Sequence, residues 1–331
     1  MSARDGADVA RSSLTLGSRV GSGGQGEVHA VGDGSLLYKE YKDPSKVNGH
    51  ALADLVIFRQ GLGRADRVRF DTLAAWPLCR VVEGGRVLGF LMRRAPSPMT
   101  WRTASGVTKL LELQYLIRPP KVAWQEVSQP TPDQRRALAL ACVEAIGWFH
   151  DAGLVIGDIS QANILWSLTP EPAVHFLDCD GFRRVGRDAV QAQAATPDWN
   201  DPLAPSTEAS VDTDAYKTAL TAGRILAQDP YARPGQGMRP VAGCLNERQA
   251  AASGKLFAQA AGKRGRRPRP SEWQTALSDR GTITLTAASP RPRPAIDPTV
   301  LDGLRDRTPI NLRAPGQDHG QAVSAPPKRS R

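Results

Sequence analysis

Between two apolar runs, Val155-Ile156 and Ile164-Leu165, the sequence sets Asp158 and Asn163 five residues apart in the stretch VIGDISQANIL. Apolar flanks tie both ends of such a loop into a core. The loop must then present a carboxylate and an amide side by side. The segment before it reads as a helix. Thr131-Pro132-Asp133-Gln134 supplies a capping threonine, a first-turn proline and a glutamine at the capping-box position. Ala137–Phe149 is apolar on nearly all sides, which predicts a helix deep in the core. One short hairpin past Asn163, the strand Val174-His175-Phe176-Leu177 ends at Asp178-Cys179-Asp180. A carboxylate can take a hydroxyl proton, and an amide oxygen with a second carboxylate can ligate magnesium. Either acid alone is ordinarily a turn former. Both in this order, with the asparagine between them, argue for a site.

The first ninety-odd residues read as a small sheet with one helix. Strands are expected over 14–21, 27–31 and 35–41, a helix over 46–61, and a hairpin over 78–92 about Gly84-Gly85. The first turn carries Gly21, Gly23, Gly24, Gly26 and Val28 in the pattern G-x-G-x-x-G-x-V. Glycines let a backbone approach phosphates closely. A dinucleotide fingerprint needs a helix after the glycines, and here a strand follows. Lys39 shares a strand face with Leu37 and points inward, and a buried ammonium needs an anion. Helices are expected again over 208–228, 247–261 and 271–277.

The chain has 331 residues, enough for about two domains or one bilobal unit. Residues 282–331 hold eight prolines and no Phe, Trp or Tyr, which predicts a disordered tail. Residues 1–12 are expected to be loose. The net charge is +10; the tail's 8 basic and 4 acidic residues contribute +4 of it. A basic run, Lys263, Arg264, Arg266, Arg267 and Arg269, adds more. This concentration suggests at most weak, non-specific nucleic-acid contact through the tail. No apolar stretch is long enough to span a bilayer, and the N-terminus does not read as a secretory signal. Four scattered cysteines point to a reducing cytoplasm without structural zinc.

The order of glycine turn, strand lysine, D-x-x-x-x-N loop and strand-end Asp resembles the protein kinase superfamily, in particular a divergent bacterial Ser/Thr-kinase-like branch. Thr196-Pro197-Asp198-Trp199-Asn200-Asp201-Pro202 resembles the end of an activation segment. Asp214 resembles the helix acid that braces the catalytic loop. Arg269-Pro270 resembles the late Arg-Pro signature. The resemblance implies an α+β, bilobal protein-kinase-like fold. Residues 13–95 would form a small antiparallel-sheet lobe with one helix, and 96–281 a larger helical lobe. It implies ATP-dependent transfer of a γ-phosphate to Ser/Thr hydroxyls of a protein substrate, with Mg2+ (or Mn2+). The backbone of Gly21, Gly23, Gly24 and Gly26, with Val28, would cover ATP. Lys39 would hold its α and β phosphates, and Met92 to Ala95 would face the adenine. Asn163 and Asp178 would hold the metal. Asp158 would orient and deprotonate the acceptor, with Thr196 beside it.

Departures accompany the resemblance. Ile156-Gly157-Asp158 lacks the usual arginine, so regulation by a segment phosphate is not expected. Ser160 stands where a lysine is usual, as in RIO-type kinases. Asp178-Cys179-Asp180 replaces D-F-G; an Asp180-Gly181 register is the alternative, and strand continuity favours Asp178. Leu203 falls at the A-P-E glutamate. Residues 41–82 contain no Glu, leaving Asp54 as the best helix partner for Lys39. Three other readings stand beside the kinase: a non-catalytic scaffold binding nucleotide or a partner, a small-molecule phosphotransferase, and a kinase-fold carrier for a nucleic-acid-binding tail.

Overall fold

A computed structural model describes residues 8–193 and 195–279. The expected tail, 282–331, lies outside the described residues, as do residues 1–7. The described chain is α+β, with one six-stranded mixed sheet, three two-stranded sheets and seven α-helices. It opens with β1 (Val9–Ala10), β2 (Leu16–Ser22), β3 (Gly26–Val31) and β4 (Leu36–Tyr41). Helices α1 (Gly49–Gly61) and α2 (Arg64–Leu73) follow, then β5 (Cys79–Glu83) and β6 (Arg86–Arg93). These strands form one sheet in the order β1-β5-β6-β4-β3-β2, antiparallel except for β1 on β5. The β5–β6 turn has Gly84 at φ 55° and Gly85 at φ 78°, the left-handed pair a two-residue hairpin demands.

Both faces of β4 are covered. Leu37 and Tyr41 join the main core, with Lys39 on their side. Tyr38 faces the other way, with Cys79, Val81 and Leu91, under Val9, Leu14 and Leu16. That cover corrects the expectation of a loose N-terminus: residues 8–12 pack on the sheet, and Asp8 pairs with Arg80 at 2.6 Å. A second correction concerns helices, because two rather than one accompany the sheet. Helix α2 (RADRVRFDTL) has little apolar periodicity and was not foreseen. It is held by fully buried Phe70, contributing about 1.5–3 kcal/mol. A fork between Arg59 and Asp71, at 2.6 Å for both bonds, adds to this.

After β6 comes an unforeseen hairpin, β7 (Thr100–Arg102) with β8 (Thr108–Leu110), then the short α3 (Gln114–Ile117). Helix α4 (Pro132–Asp151) starts at the expected capping box: Gln134 N–H donates to Thr131 Oγ1 at 3.3 Å and Thr131 N–H to Gln134 Oε1 at 3.0 Å. Leu138, Cys142, Val143, Ile146 and Phe149 of α4 are fully buried, as its apolar pattern requires.

The short strands β9 (Leu154–Val155), β10 (Ile164–Ser167), β11 (Ala173–Phe176) and β12 (Arg183–Arg184) follow. They pair β10 with β11 and β9 with β12. Helices α5 (Val211–Ala227), α6 (Glu247–Gln259) and α7 (Pro270–Leu277) complete the described chain. Every residue of α5 from Thr213 to Leu226 is buried. Among the described residues, no helix is long and apolar enough to cross a membrane.

Candidate active site

Register brings the loop and the strand end together. Ile164 of β10 pairs with Phe176 of β11, so Asn163 and Leu177 extend the same ladder; Leu177 N–H donates to Asn163 O at 2.8 Å. Asp178 is the next residue. On the loop, Asn163 Nδ2 donates to Asp158 Oδ2 at 2.8 Å and to Asp158 O at 2.9 Å. Thr196 Oγ1 donates to Asp158 Oδ1 at 2.8 Å. The Asp158 carboxylate is thus held at both oxygens by residues the sequence singled out.

The loop is clamped from below by α5. Asp214, fully buried, accepts from Ile156 N–H at 2.7 Å and Gly157 N–H at 2.9 Å. His150 Nε2 lies 3.2 Å from the same carboxylate. One turn along α5, buried Lys217 donates to Gly157 O at 2.7 Å. Burial pulls the Lys217 ammonium below its ordinary pKa, against the pull of Asp158, Asp214 and Asp201. Asp158 N–H reaches back to Ile156 O at 3.0 Å across Gly157, whose φ is +79°. A tight turn with that φ suits glycine. Any Cβ there would also lie 2.5 Å from Gln193 Oε1. Arg183 donates to that same oxygen at 2.8 Å. A neutral amide therefore occupies the space above Gly157. Ser160 is buried, and its carbonyl accepts from Asn163 N–H at 3.2 Å.

The strand-end turn is anchored at both ends. Phe176 and Phe182 each meet Phe149 edge-on, with ring centroids 5.2 Å apart. Between them Asp178 adopts φ 50°, ψ 43°, a left-handed conformation that Asp tolerates better than most residues. Asp178 and Asp180 are treated differently by the fold. Asp180 is buried: its Oδ1 takes Lys39 Nζ at 2.7 Å and its Oδ2 takes Tyr41 OH at 3.0 Å. The Asp178 side chain keeps 55% exposure, with Oδ1 3.5 Å from Lys39 Nζ. Burial alone would lower the Lys39 ammonium, but Asp180 and Asp178 outweigh it and hold the pKa above its ordinary value. Asp178 is raised: protein atoms crowd it although water reaches its side chain, and Asp180 and Asp158 add negative charge that Lys39 does not cancel.

These contacts correct the expected partner of Lys39. Asp54 on α1 makes no ion pair with Lys39, whose closest carboxylate is Asp180. The segment around Leu203 buries an acid two residues earlier. Leu203 is 50% exposed, whereas Asp201 is buried in a fork with Arg267, which also meets Asp212 at 3.1 Å. Arg267, not Arg269, is the buried arginine of the late segment; Arg269 is exposed at the start of α7, where its backbone N–H donates to Glu272 Oε2 at 2.8 Å. Tyr41, Lys217 and Gln193 were not singled out from sequence; Asp180 stood only as an alternative register, Asp201 only within the segment motif and Arg267 only as one of a basic run. Only Tyr41 had a local signal, since Leu37, Lys39 and Tyr41 alternate onto one strand face.

The glycine turn joins β2 to β3, closed by Gly23 N–H to Gly26 O at 2.9 Å. A Cβ on Gly23 or Gly24 would meet nothing within 4 Å, whereas one on Gly26 would strike Glu40 O at 2.5 Å. Gly26 is therefore a packing glycine, and open space lies over Gly23 and Gly24. Gly21 pairs with Val28, and Val28 pairs with Lys39. Met92 is buried opposite Leu37, two residues from Lys39 along β4, and Ala95 lies half-buried just past β6. Neither touches the acids.

The donor set fits a magnesium ion. Asn163 spends its amide N–H groups on Asp158, which leaves its oxygen as an acceptor, and Asp178 is open to solvent. Among the described residues no group of three or more His, Cys, Asp or Glu is placed to cage a metal alone. Magnesium commonly takes one or two protein carboxylates and fills its shell with water and phosphate oxygens. A cavity of about 350 Å³ lies apart from these residues, among α2, α4, β11 and residues 96–99, with Arg69, Glu144 and Pro170 in its walls. It holds none of the residues singled out above. No protein-family model matches the chain, and no curated protein matches it significantly.

Proposed function

We propose that the chain is a bilobal, protein-kinase-like phosphotransferase that moves the γ-phosphate of ATP to a hydroxyl, with Ser/Thr of a protein as acceptor. The observation that carries this reading is the Asp158 carboxylate, held at one oxygen by Asn163 and at the other by Thr196. Such a carboxylate is immobile, within a loop braced by Asp214, and suited to receive an acceptor proton. In the transfer, the acceptor oxygen forms a bond to the γ-phosphorus while the bond to the bridging β,γ-oxygen breaks. The hydroxyl proton passes to Asp158 and ADP leaves. Lys39 offers its ammonium to the phosphates, and the open space over Gly23 and Gly24 leaves room for a phosphate chain against the turn. Asn163 and Asp178 would hold magnesium, which when bound neutralises charge on the phosphates.

The acids whose loss would favour a non-catalytic scaffold have counterparts in space. Asp180 serves Lys39, and Asp201 serves Arg267. Thr196 on Asp158 favours a protein acceptor over a small molecule, following the resemblance to Ser/Thr kinases. The test is phosphate transfer from labelled ATP with Mg2+ or Mn2+, wild type against Asp158→Ala. Transfer by the wild type alone supports the reading; equal transfer by both defeats it.

A further inference from the structure

Lys39 and Tyr41 lie two residues apart on β4 and so point to one side of the sheet. Both end on Asp180. Its Oδ1 receives the ammonium at 2.7 Å and its Oδ2 the phenol at 3.0 Å. The side chain of Lys39 is 5% exposed and that of Asp180 is 3% exposed. With both oxygens engaged inside the protein, Asp180 has little to offer a metal. The ammonium also rests 5.8 Å from the Phe90 ring centroid, which restricts it further.

Helix α1 does not take part. Its acid, Asp54, forms no ion pair with Lys39, and its buried arginine, Arg59, is directed to Asp71 on α2. The turn that carries Asp180 is the turn that carries Asp178. It is closed by Gly181 N–H to Asp178 O at 2.9 Å and pinned by buried Cys179.

Resting on the phosphotransferase reading, we infer that Asp180, completed by Tyr41, is the positioning residue that holds Lys39 for the nucleotide phosphates. The phosphate grip and the metal carboxylate then ride on one turn, Asp178–Gly181. A shift of that turn removes both together, and a shift of α1 removes neither. Asp180 does not touch the reacting atoms; it acts through the lysine.

The experiment measures Mg-ATP dissociation constants by titration calorimetry on the full chain, below the melting temperature of each variant. Asp180→Asn is expected to weaken binding about tenfold or more, the range for a lost charge-assisted hydrogen bond. Tyr41→Phe should weaken it by about two- to fivefold, consistent with a neutral hydrogen bond. Asp54→Ala should change it by less than about twofold, since it removes no contact to Lys39. In a Lys39→Met background, adding Asp180→Asn should cost no further affinity, because the acid acts only through the lysine. That last result separates positioning from general structural damage. The inference is overturned if the tenfold loss persists without Lys39, if Asp54→Ala weakens binding as Lys39→Met does, or if Tyr41→Phe and Asp180→Asn both bind as wild type. A wild type that neither binds Mg-ATP nor transfers phosphate defeats the functional reading itself, and the inference with it.

Discussion

Thr196 donates its hydroxyl to Asp158 Oδ1 at 2.8 Å, so the segment that follows the strand-end turn is tied directly to the carboxylate. A phosphate on Thr196 would set a charge of about −2 against that carboxylate. Active protein is therefore expected to carry no phosphate at Thr196. Thr196→Ser should stay within about threefold of wild-type turnover, and Thr196→Val should lose about tenfold, as the hydrogen bond goes. Mass spectrometry alongside kinetics checks this; stoichiometric Thr196 phosphate that tracks activity refutes it.

Asp158→Asn keeps the shape of the loop but cannot take a proton. Turnover should fall by about 10²–10⁴-fold, the usual contribution of a general base. Mg-ATP affinity should stay within about threefold, because in the proposed reaction Asp158 serves the acceptor hydroxyl and not the nucleotide. Single-turnover kinetics and a binding titration read the two quantities separately.

Asp178 and Asp180 should differ in stability as well as in role. A carboxyl with a raised folded pKa favours folding when protonated, and that stability is lost as pH rises through the folded value. At neutral pH the Asp178 charge is therefore a cost to the metal-free protein. Asp178→Asn, which also suits the left-handed backbone, should melt no lower than wild type while losing magnesium-dependent ATP binding. Asp180→Asn leaves Lys39 without its closest counter-ion and should lose on the order of 3 kcal/mol. Calorimetric melting of both variants in EDTA decides; an inverted order would reverse the assignment of the two acids.

Gly157→Ala should be damaging twice over, through φ +79° and through the approach to Gln193 Oε1. The expected loss is about 1–3 kcal/mol, with a matching fall in activity. Adding Gln193→Ala should recover only the steric part. Full recovery would show that the backbone conformation is not strained for alanine.

Arg267→Met strands buried Asp201 and should cost about 3–5 kcal/mol by chemical denaturation. The double variant Asp201→Leu, Arg267→Met should regain a good part of that loss, since an apolar pair has no charge to leave unpaired. A double variant as unstable as the single one would mean that the fork does more than balance charge.

What could be read from sequence was what the chain writes locally. Asp158 and Asn163 meet through a five-residue spacing, and the β10–β11 register brings the strand end at Asp178 beside their loop, whereas Thr196, 38 residues from Asp158, and Asp214 were read only through the resemblance. The partner of Lys39 was not legible, because the chain between Lys39 and Asp180 must close before the two can meet. Choosing Asp54 assumed that a helix near in sequence would supply the acid. The buried fork of Arg267 escaped for the same reason: a basic run looks like a solvated face until one member is found inside. Helix α2 and strand β1 were missed because their anchors are few, Phe70 in one and Val9 under the sheet in the other.

Arg267 is also the last of the site-bracing residues to be synthesised. A nascent chain that has already emitted Lys39, Asp158, Asp178 and Asp214 still holds Asp201 and Asp212 without the guanidinium that lets Asp201 be buried. Until it arrives, those carboxylates keep their water, and the segment between the strand-end turn and α5 has no reason to settle. The order of the chain thus places the loop and strand-end carboxylates well before the arginine that lets Asp201 be buried.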